Sequence, residues 1–324
     1  MIVEWGLDRL SAVLRELGVT EPGLVTSERF AALDVPVFRR FTGVRSHAPV
    51  DTVAAALEAL AGVDGVVAVG GGSAIDTAKA VSAQTGLPVV SVPTTYAGAE
   101  WTPFFGVRDE ERRVKGGGRG ARIEGVVYEV SLTLGLPRSE TGGTAMNALA
   151  HCAEALYAPG RNDAGDRHAL SGAQLIASAL PRVLDTGDDV GERTRLLKGA
   201  MHAGAALGSA GLALAHALAQ ALGGRFGVSH GAANALCLAP ALRFNAPLIG
   251  IELESFGEAL GDPRPIDRVE ELARLAGFER LRDLGIPRDE LPLVAEEAAG
   301  RAGAQANPRH ASPQEILELY ESVY

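Results

Sequence analysis

Two patterns of apolar and polar positions divide the chain. Up to about residue 135, short continuous apolar runs alternate with segments of helical period. Leu7, Leu10, Val13, Leu14 and Leu17 fall on one face of a helix, and residues 50–60 make a second amphipathic helix. Residues 23–26 read as a short strand, as do 65–69 (GVVAV), 88–92 (PVVSV) and 126–130 (VVYEV), with 74–83 helical among them. Uniformly apolar strands separated by helices predict a parallel sheet covered on both faces. From Pro137 onward, Ala- and Leu-rich helical segments dominate: 139–157, 169–184, 192–208, 212–222 and 231–244. The expected architecture is an α/β domain over residues 1–136 and an all-helical domain over 137–324. The glycine-rich stretch 116–120 is expected to be a mobile loop.

Composition narrows the class. Hydrophobic residues are 47% and charged residues 22% of 324, as in a globular protein. A net charge of -10 speaks against a nucleic-acid binder, which needs a basic face, and against an anionic membrane surface. Cys152 and Cys237 are too far apart in sequence for a disulfide framework or a zinc motif. Residues 203–224 are long enough to span a bilayer, but they are mostly Ala and Gly and contain His216 and Gln220, which predicts a buried central helix instead. The first residues are partly acidic and lack a long apolar run, so a cytoplasmic enzyme without a secretory leader is expected.

Two segments carry chemistry. In GVVAVGGGSAIDTAKA (65–80) a buried strand runs into Gly70, Gly71, Gly72 and Ser73, and a helix begins at once. Bare backbone N–H groups at a helix N-terminus suit a phosphate. Asp76 and Lys79 on that helix read as solvated. The second segment is a polar set on apolar helices. Asn147 and His151 are four residues apart, as are His216 and Gln220, and His230 opens the next helix. Residues so spaced share a helix face, so the set is expected to converge on one cavity. Three imidazoles and an amide could hold a divalent metal. His168, His202 and His310 have no such pairing and read as surface or structural.

These segments, with PTTYAGAEWTPFFG (93–106), TAMNALAHCAEALYA (144–158), HALAQALGGRFGVSHGAAN (216–234) and Asn307-Pro308-Arg309, resemble the iron-containing (group III) alcohol dehydrogenase family, and within it the maleylacetate reductase branch. The resemblance implies a dehydroquinate synthase-like fold: an N-terminal NAD(P)-binding α/β domain, a C-terminal helical domain and an active site in the cleft between. It implies that Gly70, Gly71, Gly72 and Ser73 hold the pyrophosphate, that Asp76 lies near the nicotinamide, that Thr94 and Thr95 line the adenosine side, and that Lys115 lies near the cofactor. It places Asn147, His151, His216 and His230 at the positions of the family's Asp and three His metal ligands, with Zn or Fe as the expected ion. Three departures come with it. Asn147 replaces the ligand Asp, a change the maleylacetate reductase branch shares. Gln220 replaces a histidine near the substrate. Ser27, followed by Glu28 and Arg29, replaces the acid that binds the adenine ribose, which opens the site to NADP(H) as well as NAD(H).

The expected function is NAD(P)H-dependent reduction of a carbonyl or enone in a small, carboxylated molecule. His151, His216 or His230 would supply the acid, with Gln220, Tyr96 and Thr102 around the substrate. Arg108, Arg112, Arg113, Arg225 and Arg243 are available for its carboxylates. A homodimer without nucleic-acid or membrane partners is expected. The alternatives are a metal-dependent alcohol or phosphonoaldehyde dehydrogenase, a cyclase of the dehydroquinate synthase type, and a non-catalytic nucleotide binder.

Overall fold

The computed structural model describes residues 1–109 and 111–324, and position 115 by its backbone alone. The chain forms two compact units, Met1–Thr95 with Ala99–Gly135, and Tyr96–Gly98 with Leu136–Tyr324. A single cut near residue 136 does not express this division, because Tyr96–Gly98 packs with the helices. The Tyr96 N–H donates to Thr144 Oγ1 (3.3 Å) and Asn147 Nδ2 donates to the Ala97 carbonyl (3.1 Å).

The first unit contains β1 (Ile2–Trp5), α1 (Leu10–Glu16), β2 (Pro22–Val25), β3 (Arg39–Phe41), α2 (Val50–Ala59), β4 (Gly65–Gly70), α3 (Gly72–Thr85), β5 (Pro88–Pro93), β6 (Phe104–Asp109), β7 (Val114–Arg119) and β8 (Arg122–Tyr128). Six strands form one sheet in the order β1-β8-β5-β4-β2-β3, with every pair parallel. Successive side chains of a strand point to opposite faces, and both faces here are apolar. Val67, Val69, Val90, Val92 and Val127 pack under Leu10, Val13 and Leu14 of α1. Val66, Ala68 and Val89 pack on the other face against Ala56 of α2 and Ile75, Ala78 and Val81 of α3.

Two expectations need correction in this unit. Residues 116–120 are not a loop up to Arg119: β7 pairs with β6 in an antiparallel hairpin, Gly116 opposite Val107 and Gly118 opposite Phe105. Gly117 and Gly118 are there because Phe105 lies across them. A β-carbon on Gly118 would come within 2.5 Å of the Phe105 ring, and one on Gly117 within 2.7 Å of its carbonyl oxygen. The strand expected at 126–130 stops at Tyr128, because Glu129 turns the chain into a 3-10 helix by accepting the Ser131 N–H at 3.0 Å.

The second unit is helical: α4 (Arg138–Ala155), α5 (Asp163–Thr186), α6 (Val190–Ala210), α7 (Leu214–Phe226), α8 (His230–Asn245) and shorter helices beyond. Asn162 and Asp189 cap α5 and α6 through their side-chain oxygens. The apolar stretch 203–224 is broken where Gly211 ends α6 with φ 90°, and α7 leaves at 102° to it. No single helix among the described residues is long and apolar enough to cross a membrane. Helices α4 and α8 cross at Gly143 and Gly231, where a β-carbon on Gly231 would meet the Gly143 backbone at 2.4 Å. That close crossing sets Asn147 of α4 beside Asn234 of α8.

Candidate active site

Three neighbouring strands of the sheet end at the residues expected to hold a cofactor. Ser27 follows β2, the glycine turn follows β4, and Thr94 and Thr95 follow β5. The turns are tied together, with Thr26 Oγ1 donating to the Val69 carbonyl at 2.7 Å and the Thr94 N–H to the Gly70 carbonyl at 3.0 Å. In open α/β sheets ligands bind outside the carboxyl ends of the strands. Gly71 is the N-cap of α3, and no side chain caps that end. Part of the glycine run answers to packing rather than to a ligand. A β-carbon on Gly70 would lie 2.7 Å from that of Ala74, and one on Gly71 2.8 Å from Thr95 Cγ2. The Ser73 hydroxyl accepts the His47 N–H at 2.9 Å, which leaves its own O–H to donate.

Asp76 and Lys79 are not a solvated face. Lys79 is buried, donating to the Ala99 and Phe104 carbonyls at 2.7 and 2.6 Å and pairing with Asp76 at 3.1 Å. Asp76 also accepts the Gly106 N–H, so both residues anchor β6 on α3. Thr102 is buried against the same ammonium. Ser27 is half-buried in a bridge to Gly43. The side chain of Lys115 lies outside the described residues.

In the helical unit the structure brings His151, His216 and His230 together. The rings of His151 and His216 stack with centroids 4.7 Å apart, and that of His230 is 5.7 Å from His216. Beneath them lies Glu154, fully buried on α4. Its carboxylate accepts the N–H groups of Ala213 (2.9 Å) and His216 (3.2 Å) at the start of α7, and is 2.6 Å from His216 Nδ1. An anion at a helix N-terminus is favoured by the helix dipole, so one side chain both caps α7 and orients His216. Burial, and after it the neighbouring charge of His216, hold the His151 imidazole well below its usual value, so it is neutral. Gln220 is half-buried one turn beyond His216.

Glu154 and Asn234 are the residues that sequence reasoning missed. Glu154 lies three positions after His151 on the same helix face, which was the available signal: an acid among alanines on a buried helix. Asn234 lies four positions after His230 and is fully buried. Its Nδ2 donates to Asn147 Oδ1 at 2.8 Å and sits 3.1 Å from His230 Nε2.

Several expected site residues are engaged by other side chains. Tyr96 is wholly buried, and its hydroxyl accepts from Arg193 at 3.2 Å. Arg225 is engaged by Glu290 and Glu297 at 2.7 and 2.8 Å, and Arg243 by Glu270 at 2.7 Å. His168 and His202 are a pair after all: their Nδ1 atoms are 2.8 Å apart across α5 and α6. Asn307 and Arg309 have structural work. Asn307 exchanges amide hydrogen bonds with Asn245 at 2.9 and 2.7 Å, and the Arg309 guanidinium lies 3.8 Å over the Phe244 ring.

The metal set Asn147, His151, His216 and His230 does not fit a metal in this arrangement. A catalytic site uses about three protein ligands with lone pairs turned inward. His151 Nδ1 and His216 Nε2 are buried without hydrogen-bond partners, but His230 Nε2 and Asn147 Oδ1 both face the Asn234 amide nitrogen. Among the described residues no group of three His, Cys, Asp or Glu side chains is placed to hold an ion.

Comparison with known proteins adds to this geometry. Residues 4–122 match the family model for iron-containing alcohol dehydrogenase, and residues 141–324 the C-terminal model of the Fe-containing alcohol dehydrogenase family. The maleylacetate reductase of Burkholderia cepacia is 37% identical over 295 residues, covering 90% of this chain and 82% of its own. Among solved structures, the maleylacetate reductase of Agrobacterium tumefaciens superposes with a TM-score of 0.90 at 29% identity, covering 100% of this chain and 95% of its own. The iron-containing alcohol dehydrogenase of Corynebacterium glutamicum does so with a TM-score of 0.92 at 26% identity, covering 100% and 94%.

Proposed function

The chain belongs to the iron-containing alcohol dehydrogenase family and is an oxidoreductase of a small substrate, and from that premise we propose that it reduces a carbonyl or enone of a small carboxylated molecule with NADH or NADPH. The observation that carries this reading is the buried Glu154–His216 pair stacked on a neutral His151. When bound, the nicotinamide supplies a hydride to the substrate carbon. The protein's own residues do the rest. The N–H groups of Gly72 and Ser73 and the Ser73 hydroxyl take the pyrophosphate at the uncapped end of α3.

Charge develops on the substrate oxygen as the carbon gains the hydride. His216 Nε2–H donates to that oxygen and gives up its proton. Glu154 holds Nδ1 and so fixes the ring with Nε2 as the atom presented. His151 offers a neutral ring beside it. Gln220 can hydrogen-bond the substrate but moves no proton near neutral pH. The maleylacetate reductases to which the chain is similar point to a substrate bearing carboxylates, with maleylacetate the first to test. No step is assigned to a metal.

Oxidation of NADH and of NADPH by the purified chain, with maleylacetate and a panel of small keto acids and aldehydes, tests the reading. Turnover that drops at least a hundredfold in His216→Asn is the expected result. Cofactor binding without turnover of any of these compounds would leave a nucleotide-binding protein instead.

A further inference from the structure

Asn234 has no role in the reading above, yet it makes as many polar contacts in the cluster as Glu154 does. Its amide nitrogen is 2.8 Å from Asn147 Oδ1, 3.1 Å from His230 Nε2 and 3.1 Å from the His230 carbonyl oxygen. The first two atoms are half of the ligand set that the family resemblance implies. We infer that Asn234 is a positioning residue whose amide group takes the place of a metal ion, organising Asn147 and His230 by hydrogen bonds where a cation would organise them by coordination. The inference rests on the proposed metal-free reduction.

The direction of each bond is settled by a backbone carbonyl. The Ala97 oxygen can only accept, so the Asn147 atom 3.1 Å from it is the donor Nδ2, and Oδ1 is the atom turned to Asn234. Asn234 must then present its NH2 to that oxygen. Its second proton is shared between the His230 carbonyl oxygen and His230 Nε2, and that nitrogen, facing only a donor, is the accepting one. A dication arriving here would find that lone pair already used and a hydrogen-bond donor in its way. The arrangement also accounts for an amide at position 147. A carboxylate would set one oxygen against Ala97 O with no proton between them, and a buried repulsion of that kind is not screened. Asn147 and Asn234 are therefore a matched pair, made by the close crossing of α4 and α8.

The test is Co2+ uptake by the whole chain, followed by elemental analysis and the visible absorption of the bound ion. This readout does not depend on turnover. The wild type and Asn147→Asp should each hold less than about a tenth of an ion per chain. The double variant Asn147→Asp/Asn234→Ala, which supplies a carboxylate and frees His230 Nε2, should hold about one. Stoichiometric Co2+ in the wild type or in Asn147→Asp alone would overturn the inference, as would a folded double variant that takes up none. Should the double variant fail to fold, the wild type still decides the matter. Nitrogen-15 NMR of its imidazoles should find His230 Nε2 unprotonated at neutral pH, and a proton on that atom would overturn the inference. Loss of NAD(P)H turnover by the wild type would instead count against the proposed reduction and leave these readings intact.

Discussion

Glu154 shows how much one side chain can be asked to do. The same carboxylate closes the N-terminus of α7 and holds His216. The two tasks separate in Glu154→Gln. An amide oxygen can still accept the Ala213 N–H, so the helix cap survives, but the countercharge to an imidazolium is gone. We predict that kcat falls by about a hundredfold or more, a typical contribution of a positioned acid, while circular dichroism stays that of the wild type. A variant with the wild-type kcat would show that the acid lies elsewhere. Cofactor choice is also a matter of single residues. Ser27 stands at the end of β2 without charge, and Glu28 beside it is engaged at 3.0 Å by the Thr42 hydroxyl. NADPH should therefore bind within about tenfold of NADH, a gap of about 1.4 kcal/mol. Ser27→Asp should widen that gap in favour of NADH, and fluorescence titration with each cofactor measures it.

Elements were legible in the sequence to the degree that their signal is local. β4 and β5 carry unbroken apolar runs because both faces of the sheet are covered, and α3 begins where the glycines end. The β6–β7 hairpin was not legible. Its glycines look like a loop until Phe105 is seen lying across them. The histidines of the cluster announced themselves by their spacing, but Glu154 and Asn234 acquire meaning only through partners 62 and 87 residues away. His168 and His202 likewise meet across 34 residues. At the glycine turn, packing and ligand make the same demand. Gly71→Val would press a side chain on Thr95, costing about 1–3 kcal/mol as overpacking does, and would also block the pyrophosphate. A lower melting temperature together with a more than tenfold loss of NADH affinity is expected. A folded variant that binds NADH normally would remove the phosphate assignment.

On the scale of the whole molecule, acid should loosen the chain through His202. Burial first, and the adjacent His168 second, hold its imidazole below the ordinary value of 6.5. The folded state then binds fewer protons here than the unfolded state. This contribution is complete above pH 6.5 and is lost as pH falls through the depressed folded value. Melting temperatures measured at about pH 8 and about pH 5.5 should differ, and His202→Asn should shrink the difference. An unchanged difference would place the acid sensitivity in other groups.

Tyr96–Gly98 has a further consequence for dissecting the protein. The chain enters the helical unit at Tyr96, leaves it after Gly98 and returns at Leu136, so the two units are joined covalently at three places. A gene cut at 136 yields a helical fragment that lacks the Ala97 carbonyl, and the buried Asn147 amide loses its acceptor, a deficit of about 1–3 kcal/mol. The fragment 137–324 should therefore melt below the whole chain, and an added peptide spanning 96–98 should restore part of the difference.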